Sequence, residues 1–225
     1  MNKETMHIAI IPDGNRRWAK ANKLKPWKGH EKSAENFRDL VEWCGDDARI
    51  GALTIWCFST ENWKRDEQEV QKIIDMLSTY LTKERQTFQK NKIRVLHSGR
   101  RDRFTPELLT LLDDIQEETS SNDNLTLHLA VDYGGKDELL RAIQKIEDPS
   151  SVTEEIIQSH LDQPDLCDID LVIRTSGEQR TSNFFLWQST YAEWMFHPKL
   201  FPDFSVEDLQ TSVDDFCTRT RRFGA

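Results

Sequence analysis

A carboxylate near the N-terminus stands beside several groups that suit an anion. Asp13 follows an apolar run that ends at Pro12, and the residues after it are Gly14, Asn15, Arg16 and Arg17. Glycine adopts a positive φ readily and asparagine caps helices, so a turn into a helix capped by Asn15 is predicted here. Because helix N-termini and guanidinium groups both attract anions, the stretch predicts a phosphate-binding turn.

The carboxylate of Asp13 suggests that a metal ion also binds at this turn. Two neighbouring guanidinium groups are expected to keep Asp13 ionised. Proteins usually bind Mg²⁺ through one or two carboxylates together with phosphate oxygens of the substrate. The stretch therefore suggests magnesium and diphosphate chemistry. A strand, turn and helix whose arginines are merely solvated is the alternative, and this stretch alone does not separate the two.

Two more polar clusters follow apolar runs. Ser59–Arg65 comes after the run that begins at Gly51, and Arg174–Asn183 comes after the run that begins at Asp170. Because ligands of parallel α/β sheets bind beyond the carboxyl ends of the strands, we expect the three clusters to meet at one rim. Four arginines would then be available to grip two diphosphates, namely Arg17, Arg65, Arg174 and Arg180.

Strand and helix patterns alternate along the chain. The predicted strands are His7–Ile11, Gly51–Ser59, Lys92–Ser98, Leu125–Tyr133 and Asp170–Arg174. The predicted helices are Glu31–Trp43, Asp66–Lys90, one that begins at Pro106, Asp137–Ile146 and Thr153–Leu161. This alternation, without a Gly/Ser/Pro-rich linker, predicts a single α/β domain over residues 1–225, with a mostly parallel central sheet flanked by helices.

The charge distribution favours a small anionic ligand. The net charge of −9 argues against general nucleic-acid binding, which needs a broad basic surface. Seven basic residues nevertheless lie between Asp13 and Lys32 (counting Lys32 itself), whereas none occurs from Ile146 to Ile173. A local basic cluster in an acidic protein is typical of a cleft that attracts a small anion.

Composition also bears on location and redox state. The apolar runs are too short to span a membrane and the N-terminus has no apolar signal region, so we expect a cytoplasmic protein. The four cysteines, at positions 44, 57, 167 and 217, have no metal-ligand spacing. They are expected to be reduced thiols, and neither a zinc site nor a disulfide framework is predicted.

Several motifs in register resemble the cis-prenyltransferases, of which the undecaprenyl diphosphate synthase-like isoprenyl transferases are typical. The matching stretches are His7–Trp18, Gly29-His30, Phe58–Arg65, Tyr133–Gly135, Ile173–Arg180, Ser182–Phe184, Tyr191–Glu193 and Arg221–Gly224. They cover nearly the whole chain in the right order, which is far more specific than any single motif.

The resemblance implies an Mg²⁺-dependent transferase that condenses isopentenyl diphosphate with an allylic diphosphate to give Z-polyprenyl diphosphate. Undecaprenyl diphosphate, a precursor of the cell-wall lipid carrier, is the expected product and would be delivered to the membrane. The protein itself would then be cytoplasmic or peripheral to the inner face of the membrane. By position, Asp13 assists the metal and diphosphate departure, and Asn62 manages the proton lost after condensation. Asp13 and Glu193 would be the metal ligands.

The resemblance also implies substrate-binding residues. The primer diphosphate would face Gly14, Asn15, Arg16, Arg17 and His30, with Trp18 beside them. Isopentenyl diphosphate would be held by Arg174, Arg180 and Ser182, with Thr181 between them. The residues that flank Asn62 complete the set, and they are Ser59, Thr60, Glu61, Trp63 and Arg65.

The growing chain is expected to occupy a hydrophobic tunnel. The matching positions are Ala34, Trp56, Cys57, Ile73, Met76, Leu81 and Leu125. Periodicity alone favours an ordinary core role for each of them. Two departures from the family pattern concern the primer site: Arg16 replaces a frequent glycine, and Pro26 replaces a common arginine whose contact Lys25 or Lys28 could supply.

Two alternative functions remain open. One is a short-chain or branching cis-type synthase, for which Arg16 and Pro26 are the only hints. The other is a non-catalytic subunit of a heteromeric synthase, which the presence of Asp13, Asn62 and the arginines disfavours. The terminal Arg222-Phe223-Gly224 resembles the ending that reaches the neighbouring active site in homodimers, so a homodimer is expected.

Overall fold

One parallel sheet forms the centre of the protein in a computed structural model that describes residues 5–219. Its six strands in this part of the chain are β1 (Met6–Ile11), β2 (Ile50–Ser59), β3 (Ile93–Ser98), β4 (Leu125–Tyr133), β5 (Leu171–Arg174) and β6 (Glu193–Phe196). They lie in the order β3-β4-β2-β1-β5-β6, and every neighbouring pair is parallel.

The described residues also form seven α-helices. They are α1 (Asn15–Ala21), α2 (Pro26–Asp46), α3 (Glu67–Lys90), α4 (Pro106–Glu118), α5 (Gly135–Gln144), α6 (Glu154–Ser159) and α7 (Val206–Thr218). Short 3₁₀ helices lie at Thr60–Lys64, Pro149–Ser151 and Phe201–Asp203. The predicted fold class, an α/β domain with a parallel sheet flanked by helices, is confirmed.

The strand order places a ligand crevice at the carboxyl end of β1. From β1 the chain passes through α1 and α2 to β2 on one side, whereas after β4 it returns to β5 on the other side. Such a reversal leaves a crevice beyond two neighbouring strands. Since Ile11 of β1 lies in register with Arg174 of β5, the loops that carry Asp13 and Arg174 open into the same crevice.

β1 is buried on both faces, as its unbroken apolar run predicts. Ile8 and Ile10 belong to the larger core, which packs under α2, α3, α4 and α7, whereas Ala9 and Ile11 belong to a smaller aromatic core on the other face. Successive side chains of a strand point to opposite faces, so a strand covered on both sides needs apolar residues throughout.

Some elements differ from the sequence predictions. Helix α2 begins at Pro26 and not at Glu31, because proline fits the first turn of a helix. The short strand β6 and helix α7 were not predicted. A signal for α7 exists, since Ser205 and Asp208 form a capping box ahead of its buried face.

Candidate active site

The three predicted polar clusters meet at the carboxyl rim of the sheet around a pocket of about 490 Å³. It is lined by Ile11, Pro12, Asp13, Gly14, Asn15, Arg16, Arg17, His30, Trp56, Cys57, Ser59, Glu61, Asn62, Arg65, Arg174, Ser182 and Asn183. Twelve of the predicted site residues are therefore brought together. The predicted convergence of loops after β1, β2 and β5 is observed.

The turn after β1 depends on two glycines. Gly14 has a φ of +107° and is the N-cap of α1, so Asn15 is the first residue of the helix and the predicted cap at Asn15 is wrong. A Cβ atom on Gly29 would lie 2.0 Å from the carbonyl oxygen of Asn15. Gly29 therefore lets α2 approach α1 closely enough to bring His30 to the pocket.

The Asn15 side chain joins the turn to α2. Its Nδ2 donates to the carbonyl oxygen of Pro12 at 3.1 Å and lies 3.3 Å from Nδ1 of His30. Its Oδ1 accepts a hydrogen bond from the Ser33 hydroxyl at 2.6 Å. Asn15 thus positions residues and has no free polar group left for capping.

His30 is a neutral hydrogen-bond donor. Burial, together with the nearby Arg65 and Arg16 charges, lowers the pKa of His30 to about 4. Because Nδ1 accepts from Asn15, the proton lies on Nε2, which is buried without a protein partner. An oxygen of a bound ligand would satisfy this orphaned donor.

An ion pair between β1 and β5 crosses the crevice. Arg174, only 4% exposed, donates from one terminal nitrogen to Oδ2 of Asp13 at 2.8 Å and from the other to the Ser182 hydroxyl at 2.8 Å. Oδ1 of Asp13 accepts from the backbone N–H of Gly14 at 2.7 Å. The cations beside Asp13 are therefore Arg17, at 3.8 Å, and Arg174, and not the expected adjacent pair Arg16 and Arg17.

Arg16 and Arg65 share one buried carboxylate. Glu69 of α3 is 3% exposed and lies 3.5 Å from Arg16 and 3.4 Å from Arg65. The two guanidinium groups line the pocket from different elements, and the single shared charge leaves a net positive pair. Such a pair suits a multiply charged anion.

A capping box holds Asn62 at the rim. The Ser59 side chain accepts from the Asn62 backbone, and the Ser59 N–H donates to Asn62 Oδ1 at 3.1 Å. Beside it, burial raises the pKa of Glu61, but hydrogen bonds that include one from Asn183 outweigh burial, and the net pKa is below its ordinary value. The loop after β2 thus presents a fixed amide next to an ionised carboxylate.

An apolar cleft of about 110 Å³ opens from the same pocket. Its lining shares Pro12, Asn15, His30 and Cys57 with the pocket and continues along Ser33, Ala34, Phe37, Ile55, Ile73, Met76, Leu77, Tyr80, Leu129 and Phe201. Of the predicted tunnel residues, Ala34, Cys57, Ile73 and Met76 line this cleft, and Trp56 lines the larger pocket. Leu81 and Leu125 are buried in the core away from it.

Several predicted substrate residues do not line the pocket. Trp18 Nε1 donates to Asp203 at 2.8 Å, and Trp63 packs edge-on against Phe58 at 5.3 Å. Arg180 has a side chain 57% exposed and pairs with Glu178. Two further predicted substrate residues, Thr60 and Thr181, also lie outside the lining of the pocket.

Glu193 lies at the other end of the sheet. It is in register with Leu171, three residues before Arg174, so it is roughly 10 Å below the rim. Its carboxylate pairs with Arg219 at 2.8 Å. Within one chain the structure does not bring it to Asp13, and its role as a metal ligand stays a prediction.

Asp13 is suited to a divalent cation together with a substrate. Its carboxylate has about four lone-pair directions, of which Gly14 and Arg174 occupy two. No group of three or more His, Cys, Asp or Glu side chains among residues 5–219 could hold a metal. Mg²⁺ needs only one or two carboxylates when phosphate oxygens and water complete its shell, so the donor set fits this ion.

Asn183 was not among the predicted site residues. Its side chain donates to Glu61 at 3.2 Å and accepts from the backbone N–H of Lys136 at 2.8 Å. Asn183 and Ser182 both have left-handed backbone conformations, with φ of 69° and 53°. An asparagine beside a serine in a polar loop is the signal that could have identified this turn.

Comparisons with known proteins agree with this site. The Prenyltransf model of the undecaprenyl diphosphate synthase family matches residues 11–224. The chain is 43% identical to the isoprenyl transferase of Wolinella succinogenes, over 98% of this chain and 97% of that protein. It is 45% identical to the isoprenyl transferase of Aquifex pyrophilus, over 97% and 95% of the two chains.

Two solved structures share the fold. Lavandulyl diphosphate synthase from Lavandula x intermedia, solved with dimethylallyl diphosphate, superposes with a TM-score of 0.92 at 31% identity and covers 99% of both chains. A probable undecaprenyl diphosphate synthase from Campylobacter jejuni superposes with a TM-score of 0.83 at 32% identity over 100% of both chains.

Fold and site together define a prenyltransferase of the cis-prenyltransferase class. More narrowly, the chain belongs to the undecaprenyl diphosphate synthase family of isoprenyl transferases. None of its described helices is long and apolar enough to span a membrane. The resemblance drawn from the motifs is thus confirmed, except that Arg222-Phe223-Gly224 lies outside the described residues.

Proposed function

We propose that the protein condenses isopentenyl diphosphate with an allylic diphosphate in the presence of Mg²⁺ and releases a Z-polyprenyl diphosphate. The observation that carries this proposal is the juxtaposition of a cationic pocket, built around the Asp13–Arg174 pair, with an apolar cleft that opens from its floor. A substrate with a diphosphate head and a hydrocarbon tail matches both halves of the site.

The arginines would bind the charge that develops on the leaving diphosphate. Arg16 and Arg65 share only Glu69, so they keep net positive charge for an anion at the start of α1. The orphaned N–H of His30 would donate to the same anion. Fixed donors of this kind stabilise a transition state without rearrangement, which is why electrostatic stabilisation usually dominates such reactions.

The second diphosphate, that of isopentenyl diphosphate, is assigned to Arg174 and the turn at Ser182. Arg174 Nε is buried without a protein partner, so this group retains one donor beyond its contacts to Asp13 and Ser182. Arg180, now turned toward Glu178, would join by a rotation of its exposed side chain. Asn62 also lines the pocket, where its amide would orient the departing proton, directly or through water, for transfer to an oxygen of the released diphosphate.

Asp13 would hold Mg²⁺, with the substrate diphosphate supplying further oxygens. When bound, the ion would neutralise charge on the departing diphosphate. Glu193 and the homodimer belong to the same proposal, since a partner subunit is one way for distant ligands to reach a site.

Incubation of the purified protein with labelled isopentenyl diphosphate and a panel of allylic primers tests the function. We expect elongated products with Mg²⁺ and none after chelation by EDTA. Product analysis by chromatography gives the chain length, and absence of any condensation product with every primer would overturn the proposal.

The size of the apolar cleft favours a short-chain synthase as a second candidate. A cavity of about 150 Å³ holds one benzene molecule, so a cleft of 110 Å³ has room for about one five-carbon unit before side chains move. The rings of Phe37 and Tyr80, 5.1 Å apart, line it between α2 and α3. An undecaprenyl product would require these helices to separate, and the same chromatography distinguishes the two outcomes.

A further inference from the structure

A second basic groove adjoins the active-site pocket. It has a volume of about 510 Å³ and is lined by Arg16, Arg17, Lys20, Lys23, Leu24 and Pro26. The two arginines also line the active-site pocket, so the groove and the pocket are neighbours that share these side chains. Arg16 and Lys20 lie four residues apart on one face of α1, and Lys23 lies in the turn after the helix.

The lysines of the groove have no internal counterions. Within residues 5–219, no carboxylate lies within salt-bridge distance of Lys20 or Lys23, whereas Lys28 and Lys32 on α2 pair with Glu31 and Glu35. Arg16 pairs with Glu69, and Arg17 pairs with Glu178 at 3.0 Å, so the uncompensated charge of the groove lies on Lys20 and Lys23. Two like charges beside a concave surface favour the entry of an anion between them. In a chain of net charge −9, such a groove also concentrates anions locally.

Helix geometry alone does not account for the groove. Lys20 lies in the last turn of α1, where the helix dipole favours a cation, but Lys23 lies beyond the helix with a φ of 57°. The chain repeats this pattern at the end of α3, where Lys90 lies in the last turn and Lys92 has a φ of 52°. That second pair adjoins the start of β3, far from the active-site rim.

We propose that the groove is a capture site for diphosphate anions, which pass along Lys23 and Lys20 to Arg17 and Arg16 before they enter the pocket. The proposal rests on the proposed function, since it assigns a path to the same diphosphate substrates. It adds two residues, Lys20 and Lys23, that contribute to the rate of substrate association and not to chemistry. Charges at the rim of a site act mainly on the association rate and its salt dependence.

Stopped-flow tryptophan fluorescence with inorganic pyrophosphate as the probe tests the proposal, since Trp18 lies on α1. The double variant Lys20→Gln/Lys23→Asn removes both charges, and asparagine tolerates the left-handed backbone at position 23. We expect association to slow about threefold to tenfold at an ionic strength of ~0.01 M. The difference should nearly vanish at ~0.15 M, and the dissociation rate should stay unchanged.

The matched control is Lys90→Gln/Lys92→Asn, which removes the same two charges from the same helix-end geometry elsewhere. It should associate like the wild type. Equal slowing of both double variants, or of neither, would overturn the capture site, while condensation by the wild type would leave the proposed function intact. If the wild type neither bound pyrophosphate nor condensed substrates, both proposals would fail.

A vesicle experiment excludes the competing occupant. Sedimentation with vesicles that contain phosphatidylglycerol would reveal whether the groove contacts a lipid surface. Leu24, which is 46% exposed, is the one exposed apolar side chain in the described lining of the groove that could enter a membrane. Loss of vesicle binding in Lys20→Gln/Lys23→Asn, with pyrophosphate association unchanged, would overturn capture in favour of membrane contact. We expect the reverse pattern.

Discussion

Arg174 connects three parts of the site through one guanidinium group. It donates to Asp13, to the Ser182 hydroxyl and to the carbonyl oxygen of Arg180, and it is almost fully buried. The sequence predicts a cation that faces a diphosphate, but it does not reveal that this cation also fixes the loop that follows β5. The contact joins Asp13 and Arg174, which are 161 positions apart, and it depends on the pairing of β1 with β5.

The first prediction concerns Asp13. Asp13→Ala should lower turnover by about a hundredfold or more, because it removes the carboxylate beside the leaving diphosphate. It should also cost about 1–3 kcal/mol of unfolding free energy, since the buried guanidinium of Arg174 loses a charged partner. Steady-state kinetics and urea unfolding measure the two effects.

Asp13→Asn is the control for Asp13→Ala. The amide keeps an oxygen for Arg174 but carries no charge for a metal, so stability should recover more than turnover. Near-wild-type turnover of either variant at saturating Mg²⁺ would contradict the assignment of Asp13.

The second prediction separates Arg174 from Arg180. Arg174→Lys should raise the Michaelis constant for isopentenyl diphosphate tenfold or more and lower the melting temperature, because lysine cannot reproduce the fork of hydrogen bonds. Arg180→Ala should raise the same constant without a change in melting temperature, since its side chain is exposed. An effect on the primer constant alone would mean that the two subsites have been exchanged.

At the scale of elements, the long periodic helix α3 is predictable from sequence, whereas the short strand β6 is not. The helix predicted to begin at Asp66 is observed as α3, with Asp66 as its N-cap and the Asp66 side chain accepting from the backbone N–H groups of Gln68 and Glu69. Strand β6 has only four residues, which is too few for a periodic pattern to stand out. Helix α1 has only seven, and its turn residues predict it where periodicity does not.

The cleft shows a second limit of sequence patterns. Leu125 and Leu129 point to the same face of β4, and both are fully buried, yet only Leu129 lines the cleft. The alternation of side chains predicts which face of a strand a residue occupies. It does not predict where along the strand the covering helix moves away and leaves a cleft. The position along the strand decides which leucine lines the cleft, and Leu129 is nearer the carboxyl end.

The third prediction uses this difference. Cys57→Phe should shorten the products with a small change in melting temperature, because the side chain of Cys57 projects into both the pocket and the cleft. Leu125→Ala should cost about 2–5 kcal/mol of stability and leave product length unchanged, because it creates a cavity in the core. Chromatography of the products and thermal unfolding measure both.

The opposite pattern is also informative. If Cys57→Phe left the product distribution unchanged and lowered the melting temperature, Cys57 would belong to the core, where overpacking costs about 1–3 kcal/mol. A longer product from Leu125→Ala would show that Leu125 lines the tunnel, as the sequence predicts.

At the scale of the whole molecule, a buried polar chain crosses four strands. His7 Nε2 lies 2.6 Å from the Thr54 hydroxyl, which lies 2.9 Å from His128 Nδ1, and His128 Nε2 lies 2.7 Å from the Ser98 hydroxyl. His97 lies beside Ser98 on β3. Burial lowers the pKa of His7 and of His97 to about 4 and that of His128 well below its ordinary value.

The fourth prediction follows from these pKa values. Between pH 6.5 and 4 the unfolded chain holds protons that the folded chain does not, so unfolding takes up protons and stability falls as the pH is lowered. Above pH 7 the histidines are neutral in both states and their contribution is constant. Each such histidine adds up to about 1.4 kcal/mol per pH unit to the slope.

His97→Phe isolates one of these contributions. Phenylalanine retains a ring against Phe104 but cannot titrate. The slope of unfolding free energy against pH should therefore flatten between pH 6 and 4 by the equivalent of about one proton taken up on unfolding. Urea unfolding at several pH values measures this slope, and an unchanged slope would show that His97 does not carry the proton.

The separation of Asp13 from Arg174 along the chain also affects how the enzyme folds during its synthesis. Strands β1, β2, β3 and β4 can pair with one another before β5 has been synthesised, and 37 residues lie between the end of β4 and the start of β5. At roughly 5–20 residues per second, the ribosome leaves one edge of β1 uncovered for a few seconds. Uncovered edges pair with other chains, so translation passes through a brief aggregation-prone stage that ends when β5 docks and completes the active site.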